Sequence, residues 1–148
     1  MPVPEFDVDG LLPPGTHACD FAELLDVFGF TNRRKQLIQN AQKVVTEVRK
    51  TWGHPIYLDG SFVTRVPKPG DLDLVLDLRA CTEEERSAAF YFWLKQRGQW
   101  SAKWSIHFQI DLPSNEECFI ESFKKVGPKT ALRLGVGPER PKGILVLS

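Results

Sequence analysis

The chain has 148 residues, of which 42% are hydrophobic and 26% are charged, and nineteen Lys and Arg residues balance nineteen Asp and Glu residues. This composition is typical of one globular domain and excludes disordered and fibrous chains. The zero net charge removes the simplest argument for broad nucleic-acid binding, and three cysteines without a C-x-x-C pair argue against a zinc site or a disulfide framework.

The sequence carries no sign of membrane insertion or export. No apolar run approaches the roughly 18 residues that a membrane-spanning helix requires. The N-terminus, MPVPEFDVDG, is acidic where a signal peptide is basic. We therefore expect a cytoplasmic protein that does not associate with a membrane.

Residues 1–31 are predicted to form an irregular acidic arm on the domain surface, because Pro and Gly are frequent in it. Within the arm, Asp20 is expected to cap a short helix, FAELLDVF. Residues 32–148 then form the main part of a single domain. Asn32 is expected to cap its first helix, which ends at Gly53 and has apolar residues at every third or fourth position, so one of its faces belongs to the core.

Strands and helices alternate in the rest of the chain. Short apolar or alternating runs predict four strands, and capping boxes at Thr82 with Glu85 and at Ser114 with Glu117 predict two helices. In chain order we expect a strand at 56–58, a strand at 71–78, a helix from 82 to about 98, a strand at 104–112, a helix to about residue 125 and a strand at 143–147. This order predicts an α+β fold, a small mixed sheet with helices packed mainly on one face. Five aromatic rings on apolar positions are expected in the core: Trp52, Phe90, Trp93, Phe108 and Phe119.

The strand at 71–78 begins with two acids that share one face. Asp71 and Asp73 are two residues apart, so their side chains point the same way, about 6.5–7 Å apart along the strand. Asp77 has the same parity but lies about 13 Å beyond Asp73, too far to bind the same ion. The strand at 104–112 ends in another acid, Asp111, with His107 on the same face. If the two strands are neighbours, three carboxylates are expected to converge.

Three carboxylates without His or Cys suit Mg²⁺, and two ions about 3.5–4 Å apart serve in-line phosphoryl displacement. Gly60-Ser61 suits a triphosphate, because a residue without a Cβ lets the backbone approach the phosphates and a hydroxyl hydrogen-bonds their oxygens. Asp59, next to the glycine, is interpreted as a turn acid rather than a ligand. The sequence therefore predicts a site for two Mg²⁺ ions at Asp71, Asp73 and Asp111.

The pattern resembles the polymerase-β-like nucleotidyltransferase superfamily, which has Gly-Ser after the first strand, a loop, an acid-x-acid strand and a later third acid. The matching residues are Gly60-Ser61, Asp71-Leu72-Asp73 and Asp111. Over nearly the whole chain, the segments LPPGTH, YLDGSFVT and PKGILVL look like an uncharacterised bacterial family of small nucleotidyltransferase-like proteins. The sequence departs from the Gly-Ser-x-Ala-Arg-Gly of minimal enzymes, since it reads Gly-Ser-Phe-Val-Thr-Arg and lacks the second glycine.

The resemblance implies a Mg²⁺-dependent nucleotidyltransferase that moves a nucleoside monophosphate from a nucleoside triphosphate to an acceptor hydroxyl. The acceptor would be a protein partner or an RNA, in a toxin–antitoxin or defence setting. Asp71, Asp73 and Asp111 would be catalytic and metal-binding, with Asp111 helping to deprotonate the acceptor. The nucleotide-binding residues would be Gly60, Ser61, Thr64, Arg65, Lys124 and Lys125.

Two alternatives stay open. In the first, the domain is a non-catalytic, antitoxin-like partner-binding module of the same fold. In the second, DLDLV is the Asp-x-Asp-x-Val element of a haloacid-dehalogenase-type phosphatase, in which the first acid attacks phosphate. Those acids follow a hydrophobic strand, whereas here the hydrophobic run comes after them, which disfavours the phosphatase.

Overall fold

The structure is a computed structural model that describes residues 3–113 and 118–148. Its regular elements are five strands, five α-helices and one 3-10 turn within these ranges. In chain order they are β1 (Gly15–Cys19), α1 (Phe21–Phe28), α2 (Asn32–Arg49), β2 (Ile56–Asp59), the 3-10 turn (Ser61–Val63), β3 (Leu72–Asp77), α3 (Glu83–Trp104), β4 (Ile106–Asp111), α4 (Phe119–Ser122), α5 (Pro128–Leu134) and β5 (Gly143–Leu147).

The five strands form one mixed sheet in the order β1-β5-β2-β3-β4. Strand β2 is antiparallel to both of its neighbours, β5 and β3. The outer pairs, β1 with β5 and β3 with β4, are parallel. Helices together with this mixed sheet confirm the predicted α+β fold.

The alternation of leucines and acids in β3 separates the two faces of the sheet. Leu72, Leu74 and Leu76 are fully buried in the main core, which also contains the apolar faces of α1, α2 and α3. Asp73 and Val75 point to the opposite face, where Val75 packs in a smaller cluster with residues of the C-terminal segment. The acids of β3 therefore lie on the face away from the three long helices.

Of the four predicted helix caps, two are confirmed, one is wrong, and the one at Ser114 lies outside the described residues. The Asp20 side chain accepts a hydrogen bond from the backbone of Glu23 at the start of α1, and Thr82 with Glu85 forms the capping box of α3. The cap of α2 is Thr31 rather than Asn32, because the Thr31 hydroxyl accepts the first-turn bond. Each cap depends on contacts within four residues, which explains why the sequence indicates them well.

The prediction of an irregular arm over residues 1–31 is wrong in part. Gly15–Cys19 forms an edge strand that pairs with Gly143–Leu147. Leu11 and Leu12 are buried rather than on the surface. The strand gains its backbone partners from the far end of the chain, so local Pro and Gly content does not reveal it.

Helix α3 is longer than predicted. It continues past Gly98 to Trp104, and β4 accordingly begins at Ile106 rather than at residue 104. The ring of Trp100 is 5.1 Å from that of Phe108 and packs edge to face against it. Burial of this ring outweighs the weak helix preference of one glycine, about 1 kcal/mol relative to Ala.

The C-terminal part of the chain differs most from the expectation. Ser114 and Glu117, the predicted capping box, lie outside the described residues. Helix α4 is only one turn long, and a second helix, Pro128–Leu134, was not predicted.

Aromatic burial confirms part of the predicted core. Trp52 and Phe108 are 5% and 1% exposed. Trp93 is half-buried against the core and donates its indole N–H to the backbone carbonyl of Phe108 at 2.9 Å. Phe90 and Phe119 are 48% and 40% exposed, so their predicted burial is wrong. No helix in the part of the chain described is long and apolar enough to cross a membrane.

Candidate functional site

Three titratable side chains meet where β3 and β4 begin. In the parallel register of these strands, Asp73 lies beside His107, and Asp71 directly precedes β3. The imidazole Nδ1 of His107 is 3.5 Å from Oδ1 of Asp73, and its Nε2 is 3.5 Å from Oδ2 of Asp71. One potential ligand atom from each residue lies within 4.8 Å of the others. We call this group the Asp–Asp–His cluster.

The electrostatics of the cluster favour a bound cation. Burial, together with the charge of Asp71, raises the pKa of Asp73 from 3.8 to about 6, although His107 opposes the shift. A cation between the two carboxylates would remove the repulsion that disfavours their ionised forms. Two carboxylates and one imidazole within reach of a common point are therefore a candidate metal site.

Asp111 does not join this cluster, and the predicted convergence of three carboxylates is wrong. Strands β3 and β4 are neighbours, and Asp111 shares the face of the other acids, as expected. The register, however, pairs it with Asp77, four residues and about 13 Å along the strand from His107. Asp111 is fully buried and accepts hydrogen bonds from the backbone N–H groups of Phe119 and Ile120 at 2.8 and 2.9 Å. Its carboxylate therefore holds the start of α4.

Asp59 is a site residue that the sequence interpretation missed. It pairs with Asp73 across β2 and β3, so the two side chains are neighbours on one face. Asp59 is 1% exposed and forms an ion pair with Lys142, which is 2% exposed. Burial raises the pKa of Asp59 to about 7, against the opposing charge of Lys142. Asp59 is the last residue of a strand rather than a turn acid, and only the order of the strands brings it beside Asp73.

Gly60 lies against the carboxylate of Asp73 at a point where no side chain fits. Its φ is +82°, and a Cβ at this position would collide with Oδ2 of Asp73. Ser61 follows as the first residue of the 3-10 turn. The hydroxyl of Thr64 donates to the backbone carbonyl of Ser61 at 2.6 Å, and Thr64 is buried. Thr64 therefore shapes the turn, and its predicted contact with the nucleotide is not supported by its position.

Arg34 of α2 holds the loop that follows Ser61. Its guanidinium is fully buried and donates to the carbonyls of Phe62, Thr64 and Val66 at 2.5–2.9 Å, and to that of Phe28 at 3.3 Å. Burial lowers the pKa of Arg34 to about 10. A side chain bonded to alternate carbonyls of one loop fixes the path of that loop, and so the position of Gly60 and Ser61.

The Asp–Asp–His cluster forms one wall of a cleft of about 390 Å³. Gly60, Ser61, Asp59 and Lys142 also line this cleft, and much of the rest of its lining comes from the segment between Ser122 and Arg133. The part of the lining that this segment supplies, which we call the basic wall, carries three cationic side chains: Lys125, Lys129 and Arg133. Acids and bases therefore line one cavity together.

Of the three basic residues predicted to bind the nucleotide, one lines this cleft and two do not. Lys125 lines the cleft, where it pairs with Glu139 at 2.6 Å. Lys124 pairs with Glu121 at 2.9 Å and is not among the lining residues. Arg65 lines a neighbouring groove of about 510 Å³ that meets the cleft at Arg133. Lys129 and Arg133, which belong to the same basic C-terminal stretch as Lys124 and Lys125, also line the cleft, and neither forms an ion pair with any residue that the structure describes.

The chain belongs to a family of unknown function, DUF6932, whose model matches residues 4–148. Comparisons with curated proteins and with solved structures found no match. The resemblance to polymerase-β-like nucleotidyltransferases therefore stays a prediction.

Proposed function

We propose that this protein binds a nucleoside triphosphate together with a divalent cation and transfers a nucleotidyl group to an acceptor hydroxyl on a protein or an RNA. The observation that carries the proposal is the cleft itself, in which two carboxylates and three cationic side chains line one cavity of about 390 Å³. A metal–triphosphate complex carries both charges that such a cleft requires. Its cation belongs at the acids and its phosphates at the bases.

Asp71 and Asp73 are the residues that would hold the cation. Carboxylate oxygens suit Mg²⁺, which is usually bound in proteins through one or two carboxylates and the phosphates of a substrate. The raised pKa of Asp73 fits this role, because the free carboxylates repel each other. A bound cation would neutralise phosphate charge and act as a Lewis acid. With Asp111 outside the cluster, the described residues support one cation rather than the two expected from the sequence.

The triphosphate would lie between Gly60-Ser61 and the basic wall. The absence of a Cβ at Gly60 leaves the backbone open to close approach, and the Ser61 hydroxyl is a donor for a phosphate oxygen. Lys129 and Arg133 place positive charge in the same cavity as the carboxylates, where it can stabilise the negative charge that develops on a leaving pyrophosphate. The loop that carries Ser61 is held in advance by Arg34, so little ordering is needed when the ligand binds.

His107 occupies the position next to Asp73 that was predicted for a third acid. Imidazole is a poor ligand for Mg²⁺ and a good general base. Its side chain is 45% exposed, and it also lines a groove between α3 and β4, so an acceptor can reach it. In the transfer, an imidazole nitrogen takes the proton of the acceptor hydroxyl, and the acceptor oxygen bonds to the α-phosphorus. The bond from that phosphorus to the bridging oxygen breaks, and pyrophosphate leaves.

A second candidate function is nucleotide binding without transfer, as in a non-catalytic partner-binding module. The observation in its favour is that Asp111 lies about 13 Å along the strand from the cluster, so the site lacks the third carboxylate of the resembled enzymes. Both candidates predict metal-dependent nucleotide binding. They differ in whether the nucleotidyl group is transferred to an acceptor.

Binding is tested first, by the thermal stability of the protein with each of the four ribonucleoside triphosphates. We expect a rise in melting temperature with Mg²⁺ and a triphosphate together, and a much smaller rise when a chelator replaces Mg²⁺. Ligand at a hundredfold excess over its dissociation constant adds about 2.7 kcal/mol of stability, which such a measurement resolves. Absence of a Mg²⁺-dependent shift with all four triphosphates would refute both candidates.

Transfer is tested by incubating the protein with α-labelled triphosphates, Mg²⁺ and a cell extract. Label in a protein or RNA supports nucleotidyl transfer, and binding without label supports the non-catalytic candidate. The variant Asp71→Asn with Asp73→Asn removes the ligand charges with little change in volume, so it should fold and show neither binding nor transfer. The matched control is Asp77→Asn, which changes an acid on the same strand outside the cleft.

A further inference from the structure

The sequence segments YLDGSFVT and PKGILVL are joined in the structure by the ion pair between Asp59 and Lys142. Asp59 ends β2, and Lys142 directly precedes β5, the antiparallel neighbour of β2. Both residues line the same cleft as the Asp–Asp–His cluster, although their side chains are only 1% and 2% exposed. The pair therefore lies at the base of the cleft.

Lys142 has donors that the protein does not use. A lysine ammonium has three N–H donors. Among the described residues, its one hydrogen-bond acceptor is Oδ1 of Asp59. Oδ2 of Asp59 has no hydrogen-bond partner within the same residues. Buried polar groups are nearly always paired, because an unpaired one costs the full penalty of its desolvation.

Stability by itself is a weak explanation for this pair. Buried ion pairs are often no better for stability than apolar residues of similar size, because each charge loses its hydration. Lys142 also differs from the cations of the basic wall. Lys129 and Arg133 are exposed, whereas the Lys142 ammonium is held by Asp59 at one point beside Gly60 and Ser61.

We propose that Lys142 is a binding residue for a phosphate group of the nucleotide, and that Asp59 is a positioning residue that holds its ammonium at the base of the cleft. The inference depends on the proposed function and names a side chain that binds a phosphate of its substrate. A phosphate oxygen supplies the acceptor that the remaining N–H donors of Lys142 lack.

The test is calorimetric titration with inorganic tripolyphosphate and, separately, with the four ribonucleoside triphosphates, each with Mg²⁺. Tripolyphosphate is the main probe because it has no base or sugar. Lys142→Met should weaken its binding about tenfold or more, the effect of losing one charge-assisted hydrogen bond. Lys142→Arg keeps the charge and should retain most of the affinity. The matched control is Lys50→Met, at the exposed lysine that directly follows α2 and pairs only with Glu47 among the described residues.

A double variant separates ligand binding from stability. Lys142→Met alone leaves Asp59 buried without its partner and should lower the melting temperature. Adding Asp59→Asn removes the lone charge, so melting temperature should recover while tripolyphosphate binding does not. If Asp59 acts only through Lys142, the double variant binds no more weakly than Lys142→Met.

The outcomes distinguish this inference from the proposed function. Wild-type affinity for tripolyphosphate in the double variant would overturn the inference and leave the proposed function standing, with the pair serving stability alone. A further loss on adding Asp59→Asn would overturn the positioning role of Asp59. A wild-type protein that binds neither tripolyphosphate nor any of the triphosphates would overturn the proposed function and this inference with it.

Discussion

Replacing Asp73 by Asn is expected to stabilise the metal-free protein at neutral pH. Burial and the charge of Asp71 raise the pKa of Asp73 from 3.8 to about 6 in the folded protein. Because the folded pKa is the higher one, the folded state binds more protons between these two pH values. The free energy of unfolding of the wild type therefore falls as pH rises through this range, and the loss is complete above about pH 6.

The size of the effect follows from the pKa shift. A difference of about 2 pKa units corresponds to about 3 kcal/mol, at about 1.36 kcal/mol per unit. Asn keeps the volume of the side chain but carries no charge that burial can penalise. We expect Asp73→Asn to raise the free energy of unfolding by about 2–3 kcal/mol near pH 7.5 and to leave it unchanged near pH 3.5.

The assay is urea denaturation with a chelator present, at both pH values. Asp77→Asn is the control on the same strand. Burial alone would raise the pKa of Asp77, but hydrogen bonds and charge from Arg79 outweigh it and hold that pKa below its usual value. A lowered folded pKa contributes stability above the unfolded pKa and loses it as pH falls, so Asp77→Asn should destabilise the protein at neutral pH.

The two substitutions on this strand should therefore change the free energy of unfolding at neutral pH in opposite directions. Loss of stability at neutral pH in Asp73→Asn, with chelator present, would refute the claim that the free cluster is electrostatically strained. Adding Mg²⁺ should stabilise the wild type and not Asp73→Asn. A metal site that lowers the stability of the protein when it is empty is an example of the common trade-off between function and stability.

Four further substitutions test other parts of the structure. Arg34→Met leaves three loop carbonyls and that of Phe28 without their donor. Each unpaired carbonyl costs about 1–3 kcal/mol, so urea denaturation should show a loss of stability above about 4 kcal/mol, and a wild-type midpoint would contradict this. Gly60→Ala should lower the melting temperature and abolish Mg²⁺-dependent nucleotide binding, because its Cβ collides with Asp73; unchanged affinity in calorimetry would speak against this packing. Asp111→Asn should lower the free energy of unfolding by about 1 kcal/mol, because it weakens the hydrogen bonds at the start of α4, and it should leave nucleotide binding intact. Loss of nucleotide binding would instead show that Asp111 belongs to the site. His107→Gln should keep nucleotide binding and reduce label transfer, whereas equal transfer would exclude His107 as the base.

Local chemistry made much of the fold predictable from the sequence. The caps at Asp20 and Thr82 depend on side chains within four residues of the helix start, and both are confirmed. The alternation of leucine and aspartate in β3 assigns one face to the core and the other to the cleft. The short spacing of Asp71 and Asp73 likewise places both at one end of the strand. The caps follow from local hydrogen bonds and the placement of the acids follows from the two-residue period of a strand, and a sequence displays both directly.

Only the tertiary structure decided which groups surround those two acids. The register of β3 and β4 puts His107 rather than Asp111 beside Asp73, and the pairing of β5 with β2 brings Lys142 to Asp59. Likewise, an edge strand at 15–19 exists because residues 143–147 provide its partner. Strand order and register depend on packing and backbone pairing between segments far apart in the chain, and the periodicity of one segment carries no information about its partner.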